Sequence, residues 1–212
     1  MRIQMDTFIF LGYEFFSSLI PFLIILLLYR NVQKKNGISF NWHSIIALIT
    51  LAVYIVAVFH FTGAGTLYDG LIYKLELRQD QINLIPFSNI IDIVAYFLNV
   101  LLFIPFGLAV PIIWTKMRTL TNISGTAFFF TLLIESSQLL NHRRTDIDDI
   151  ILNIVGAVIG FLLFKILDRI TPAKYKAFHS IGIELPFCII VIFVGRFFLY
   201  NEMRLAKLLY GF

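Results

Sequence analysis

Charge is what this sequence has least of: only 14% of its 212 residues are Asp, Glu, Lys or Arg. No polar stretch between the apolar runs is long enough to build a separate soluble core of even about 40 residues. An ordinary two-domain soluble enzyme is therefore excluded. Cysteine is nearly absent as well, and Cys188 stands alone in an apolar run, so an intrachain disulfide is impossible and the redox compartment stays open. The chain has no Cys and His ligands at zinc-type spacing, no nucleophile elbow and no glycine-rich loop of the kind that cradles phosphate. No metal, cofactor or nucleic acid is expected.

What fills the chain is hydrocarbon. Hydrophobic residues make up 59% of it, 23 residues are Phe, and the mean hydropathy is +0.86, too apolar to coat a soluble globule. A spanning helix needs about 20 mostly apolar residues. Six segments qualify, at 8–29, 44–61, 93–114, 122–141, 148–167 and 182–200. The expected fold class is all-α, a polytopic transmembrane helix bundle of about six spans. It divides into an N-terminal span with a basic linker (1–43), a four-helix membrane core (44–170) and a C-terminal span (171–212). The first run lacks a basic leader and a small-residue cleavage site and is too long for a signal-peptide core, so it reads as a retained span.

Lys and Arg collect after the first span (Arg30, Lys34, Lys35), the third (Lys116, Arg118) and the fifth (Lys165, Arg169, Lys174, Lys176). Those linkers are expected to be cytoplasmic. Both termini, the connection 62–92 and the turn 142–147 then lie outside.

One stretch breaks the apolar pattern: "LIESSQLLNHRRTDIDDIILNIVGAVIG" carries Glu135, Gln138, Arg143, Asp146, Asp149 and Asn153. A turn near His142 would place Glu135 opposite Asp149 and Gln138 opposite Asp146. At about 1.5 Å per residue, Glu135 and Asn153 lie roughly 9–10 Å below their helix ends, and Asn99 reaches a similar depth on the third span. Glu135 and Gln138 share one helix face, as do Asp146, Asp149 and Asn153. The spacing predicts an outward polar pocket between the third, fourth and fifth spans, with Glu135, Arg143, Asp149 and Asn153 in one hydrogen-bonded cluster. A carboxylate near the bilayer centre costs about 2.5–3.5 kcal/mol, somewhat less nearer the interface, so Glu135 reads as a functional residue with Arg143 as partner. The plainer reading of "TDIDD" is a helix start, with Thr145 or Asp146 as N-cap and Asp148 and Asp149 facing the helix dipole. Asp148 suits that structural role best, and His142 reads as a solvated loop residue.

Gly156 and Gly160 form a small-xxx-small pattern that seats one helix against another. Pro105 removes a backbone bond from the third span and is a candidate kink. Glu14 and Arg196, expected near the outer interface, read as a structural pair or as snorkelling side chains.

The motifs "NLIPF" (83–87), "NVLLFIPFG" (99–107), "ESSQ" (135–138) and "RRTDIDDIILNIVG" (143–156) together resemble the VanZ-like family of bacterial membrane proteins. The resemblance covers roughly 45–170. It implies that Asn99, Glu135, Gln138, Arg143, Asp146, Asp149 and Asn153 occupy motif positions, and that the chain sits in a bacterial cell membrane. It also implies a cellular context, lowered susceptibility to the lipid-tailed glycopeptide teicoplanin, without naming a reaction. In the first reading the pocket binds an amphiphile at the outer leaflet, either a lipoglycopeptide or the phosphate of a lipid-linked cell-wall precursor, with Arg143 on the anion. "LIYKLELR" (71–78), an amphipathic or strand-like segment, would assist at the interface. In the second, Glu135 or Asp149 is a general base of an enzyme acting on a polyprenyl-phosphate headgroup, with three acidic groups available to a divalent cation. A transporter is a third, weaker reading, because the two halves show no evident repeat.

Overall fold

A computed structural model of the chain describes residues 2–35, 42–74, 81–88, 92–170 and 184–211. It is an all-α helical bundle. Helices α1 (Arg2–Lys35), α2 (Trp42–Thr62), α4 (Ile93–Ile113), α5 (Leu120–Gln138) and α6 (Ile147–Ile170) are each long and apolar enough to cross a membrane. The last expected span is a bent pair, α7 (Glu184–Leu199) and α8 (Glu202–Tyr210), which turn 41° from one another. Between α2 and α4 lie the short helix α3 (Leu67–Ile72) and the strand β1 (Ile82–Asn83), and β2 (Thr145–Asp146) precedes α6. Segment 71–78 runs from the end of α3 to residues outside the described ones.

The chain forms two compact units, residues 1–76 with 188–212, and residues 77–187. In the first unit, α1 and α7 are held by ionic chemistry inside an apolar packing. Glu14 and Arg196 are 3% and 5% exposed, and Arg196 Nε lies 2.7 Å from Glu14 Oε1. The same guanidinium donates through Nη1 to the Ala64 carbonyl, and His60 Nδ1 lies 2.7 Å from Glu14 Oε2. The expected pair therefore exists. It is buried rather than snorkelling, because the carboxylate draws its donors from two other helices.

In the second unit, α6 packs most extensively on α4, and glycine makes that possible. A methyl group added at Gly156 would strike the Val100 carbonyl, one at Gly160 the Ile104 carbonyl, and one at Gly107 the Ala157 carbonyl. Both helices thus contribute bare backbone to a single seam. α4 runs unbroken through Pro105 and Pro111. α5 packs on both helices and supplies Phe130, whose ring centre lies 5.4 Å from Phe103 and 5.7 Å from Phe106. The core of this unit is rich in aromatic rings, and its buried carboxylates Glu135 and Asp148 lie at one end.

Candidate functional site

That end is assembled from four short pieces of chain. Asp92 starts α4 by accepting the Val94 and Ala95 N–H groups at 3.0 and 3.1 Å. From there α4 presents Tyr96 and Asn99 one turn apart. α5 ends in a 3-10 turn, Leu139–Asn141, and His142 takes the left-handed conformation, φ 58°, to reverse the chain. β1 and β2 then pair in parallel, with Ile82 beside Thr145 and Asn83 beside Asp146.

The reversal brings β2 beside Glu135: the Thr145 hydroxyl donates to the Glu135 carbonyl at 2.9 Å and the Asp146 N–H to Glu135 Oε2 at 3.1 Å, while Asp149 stays within electrostatic reach of Glu135. The Arg143 N–H reaches the Gln138 carbonyl at 3.2 Å. The bonds across the turn centre on Leu140 and Asn141, and His142 completes the reversal in its left-handed conformation. Asp146 belongs to the extended β2 and not to α6, so it does not share a helix face with Asp149 and Asn153. It still caps α6, since its Oδ1 accepts the Asp148 N–H at 3.1 Å.

Each predicted residue now has a place. Glu135 is 2% exposed; its Oε2 is used by β2, and its other oxygen has no donor among the described residues. Asp149 is half-buried and accepts Asn99 Nδ2 at 2.5 Å, with its second oxygen also lacking a donor among the described residues. Asn153 is 1% exposed and donates to Thr131 Oγ1 at 2.8 Å, while its Oδ1 has no hydrogen-bond partner among the described residues. Gln138 is buried. Glu135, Arg143, Asp149 and Asn153 therefore do not form the expected single hydrogen-bonded cluster. The three charged members are linked by their fields: Glu135 interacts electrostatically with Asp149, Asp146 and Arg143, and Asp149 with Asp146, Asp148 and Arg143.

Arg143 is exposed, and its guanidinium makes no hydrogen bond or ion pair among the described residues; its main chain bonds Gln138 and Gln81. Arg144 is the cation nearer a carboxylate, with Nε 3.9 Å from Asp146 Oδ2. Asp146 is otherwise occupied by Asn83 Nδ2, 3.1 Å from both carboxylate oxygens. No group of three or more His, Cys, Asp and Glu among the described residues could hold a metal ion. The carboxylates instead turn toward amide, hydroxyl and backbone donors.

Three contributors escaped sequence reasoning. Asp148 is a buried anchor, 1% exposed, that accepts the Phe87 N–H at 2.8 Å and the Tyr96 hydroxyl. Tyr96 sits one turn before Asn99, a signal that was available. Asn83, the first residue of "NLIPF", ties that loop to Asp146.

The arrangement can offer acceptors at the buried Glu135 and the half-buried Asp149, with an exposed cation at Arg143. No curated protein and no solved structure matches the chain. The VanZ/LLP1 family model matches residues 45–168, more than half of the chain and every predicted site residue, so the protein belongs to the VanZ/LLP1 family.

Proposed function

We propose that this VanZ-like membrane protein binds an amphiphile at the outer leaflet of the bacterial cell envelope and so lowers susceptibility to lipoglycopeptides such as teicoplanin. One observation carries the reading. Glu135 and Asp149 each have one oxygen held by a neutral protein donor and one without a donor among the described residues, and both lie in the field of the exposed Arg143. Carboxylate oxygens placed at such cost call for donors, and hydroxyl or amide groups of a glycosylated or peptidic headgroup supply them. Arg143 is suited to a phosphate or carboxylate on the same molecule. A lipoglycopeptide and a lipid-linked cell-wall precursor both combine these groups with a hydrocarbon tail. The basic linkers are taken as cytoplasmic, so that the polar end faces outward.

The test is teicoplanin susceptibility of cells expressing wild type, Glu135→Gln, Asp149→Asn or Arg143→Ala, normalised to folded protein in the membrane. Loss of protection at equal protein level is expected for all three. Unchanged protection would return these side chains to a structural role. With purified protein, a bound ligand raises the melting temperature without turnover; conversion of a polyprenyl-phosphate substrate, lost in Glu135→Gln, would make the protein an enzyme instead.

A further inference from the structure

The loop Leu84–Phe87 presents its side chains outward from a polar foundation. Leu84, Ile85 and Phe87 are 69%, 68% and 53% exposed, and Pro86 is exposed between them. Apolar residues left to themselves fold inward, yet here the backbone is pinned from below. Asn83 Oδ1 accepts the Ile85 N–H at 3.2 Å and the Ser88 hydroxyl at 3.1 Å, while Asn83 Nδ2 grips Asp146. Phe87 is held at φ 54°, a left-handed conformation that a bulky side chain rarely adopts, with its N–H on Asp148. Backbone held in an uncommon conformation by surrounding bonds points to a function for what it displays.

The direction of display follows from α4. The Phe87 ring meets Tyr96 edge-on with centres 6.2 Å apart, which joins the loop to the outward face of α4, where Ile93 and Phe97 are 75% and 62% exposed. α4 is apolar enough to span a membrane, so that exposed face is lipid-facing. The loop prolongs the same apolar surface beyond the start of the helix. Asp146 and Asp148, which anchor it, also lie within the electrostatic neighbourhood of Asp149.

We infer that residues 84–87 form a rigid apolar lip that sits in the lipid of the adjacent leaflet and opens the polar cluster sideways to the membrane. Its occupant is the interfacial hydrocarbon of the bilayer. The lip's contact with lipid stands on its own. Its role as an entrance rests on the ligand-binding reading above, and it makes the ligand one that arrives from within the leaflet rather than from water.

The test places an environment-sensitive fluorophore at Ile85→Cys in a Cys188→Ser background, in proteoliposomes whose lipids carry bromine near the headgroup end of the acyl chain. Arg144→Cys, at the exposed turn, is the reference. The side chain at 85 is exposed, and a melting temperature equal to that of the parent verifies the fold. Blue-shifted emission at 85, quenched severalfold more than at 144, is expected. Water-like emission with quenching equal to that at 144 overturns the lip. A blue shift without lipid quenching, lost on dilution of protein in the bilayer, overturns it in favour of a second copy covering the loop. The Glu135→Gln form should keep the quenching. If 85 is quenched while Glu135→Gln still protects cells, the lip stands and the ligand reading fails; if Glu135→Gln loses protection while 85 is unquenched, the lip alone fails.

Discussion

Replacing Asp148 with Ala is expected to unseat the 83–88 loop without touching any ligand. The carboxylate is 1% exposed and accepts the Phe87 N–H at 2.8 Å together with the Tyr96 hydroxyl. A hydrogen bond to a charged group contributes about 1.5–3 kcal/mol. Loss of both therefore removes roughly 3–6 kcal/mol, and the lower end is expected because the Tyr96 hydroxyl can turn outward. Phe87 adds to the strain: without its carboxylate partner, little offsets the cost of φ 54°, about 1–2 kcal/mol for a non-glycine residue. At about 2–4 °C per kcal/mol for a chain of this length, the melting temperature should fall by roughly 6–12 °C. The assay is a thermal melt of purified protein in detergent, run as a cycle with Tyr96→Phe. Tyr96→Phe alone should cost less than Asp148→Ala, and the double variant should be scarcely worse than Asp148→Ala, since both remove the same bond. An Asp148→Ala protein that melts with wild type would refute the anchoring role and move Asp148 to the ligand side of the site.

Arg196→Met leaves Glu14 buried without its main counter-charge and should destabilise by about 3–5 kcal/mol; adding Glu14→Gln should recover most of that in the melting temperature. Gly107→Val drives carbon into the Ala157 carbonyl and should lower the folded yield sharply, whereas Gly125→Ala, with nothing near its new methyl, should gain about 0.5–1 kcal/mol from helix propensity. Asn99→Leu removes the donor on Asp149 and should abolish protection of cells while the protein still accumulates in the membrane. If Asn99→Leu protects as well as wild type, the Asn99 bond does not position Asp149 for binding.

The helices were legible because each is a run of apolar residues interrupted by loops, and 3.6-residue geometry follows once the chain is in lipid, where every backbone group must bond internally. The glycine seam was legible for a related reason: Gly156 and Gly160 at i, i+4 have no use on a lipid face, and the Val100 and Ile104 carbonyls occupy the space a side chain would need. The register of the hairpin was not. That the Asp146 main chain bonds Glu135 depends on where the 3-10 turn after α5 ends, and neither hydropathy nor charge marks that position. A shift of one or two residues there changes every partner below it.

Asp148 shows the complementary failure. Its place in the first turn of α6 gives it a sufficient local explanation as a dipole-favouring acid, and a sufficient local explanation hides a distant one. Its actual partners, Phe87 and Tyr96, lie 61 and 52 residues away. Such a pairing leaves a polar side chain at only one of these partners, Tyr96 in the turn before Asn99; at the other, in "NLIPF", the donor is the Phe87 main chain, which leaves no mark in the sequence. The loop's apolar character was visible too, but its exposure was not, since "LIPF" in a chain this greasy looks like one more buried segment. Exposure follows only from the polar grip of Asn83 and Asp148 beneath it, so the same carboxylates that make the end of the bundle polar are what turn the adjacent loop toward lipid.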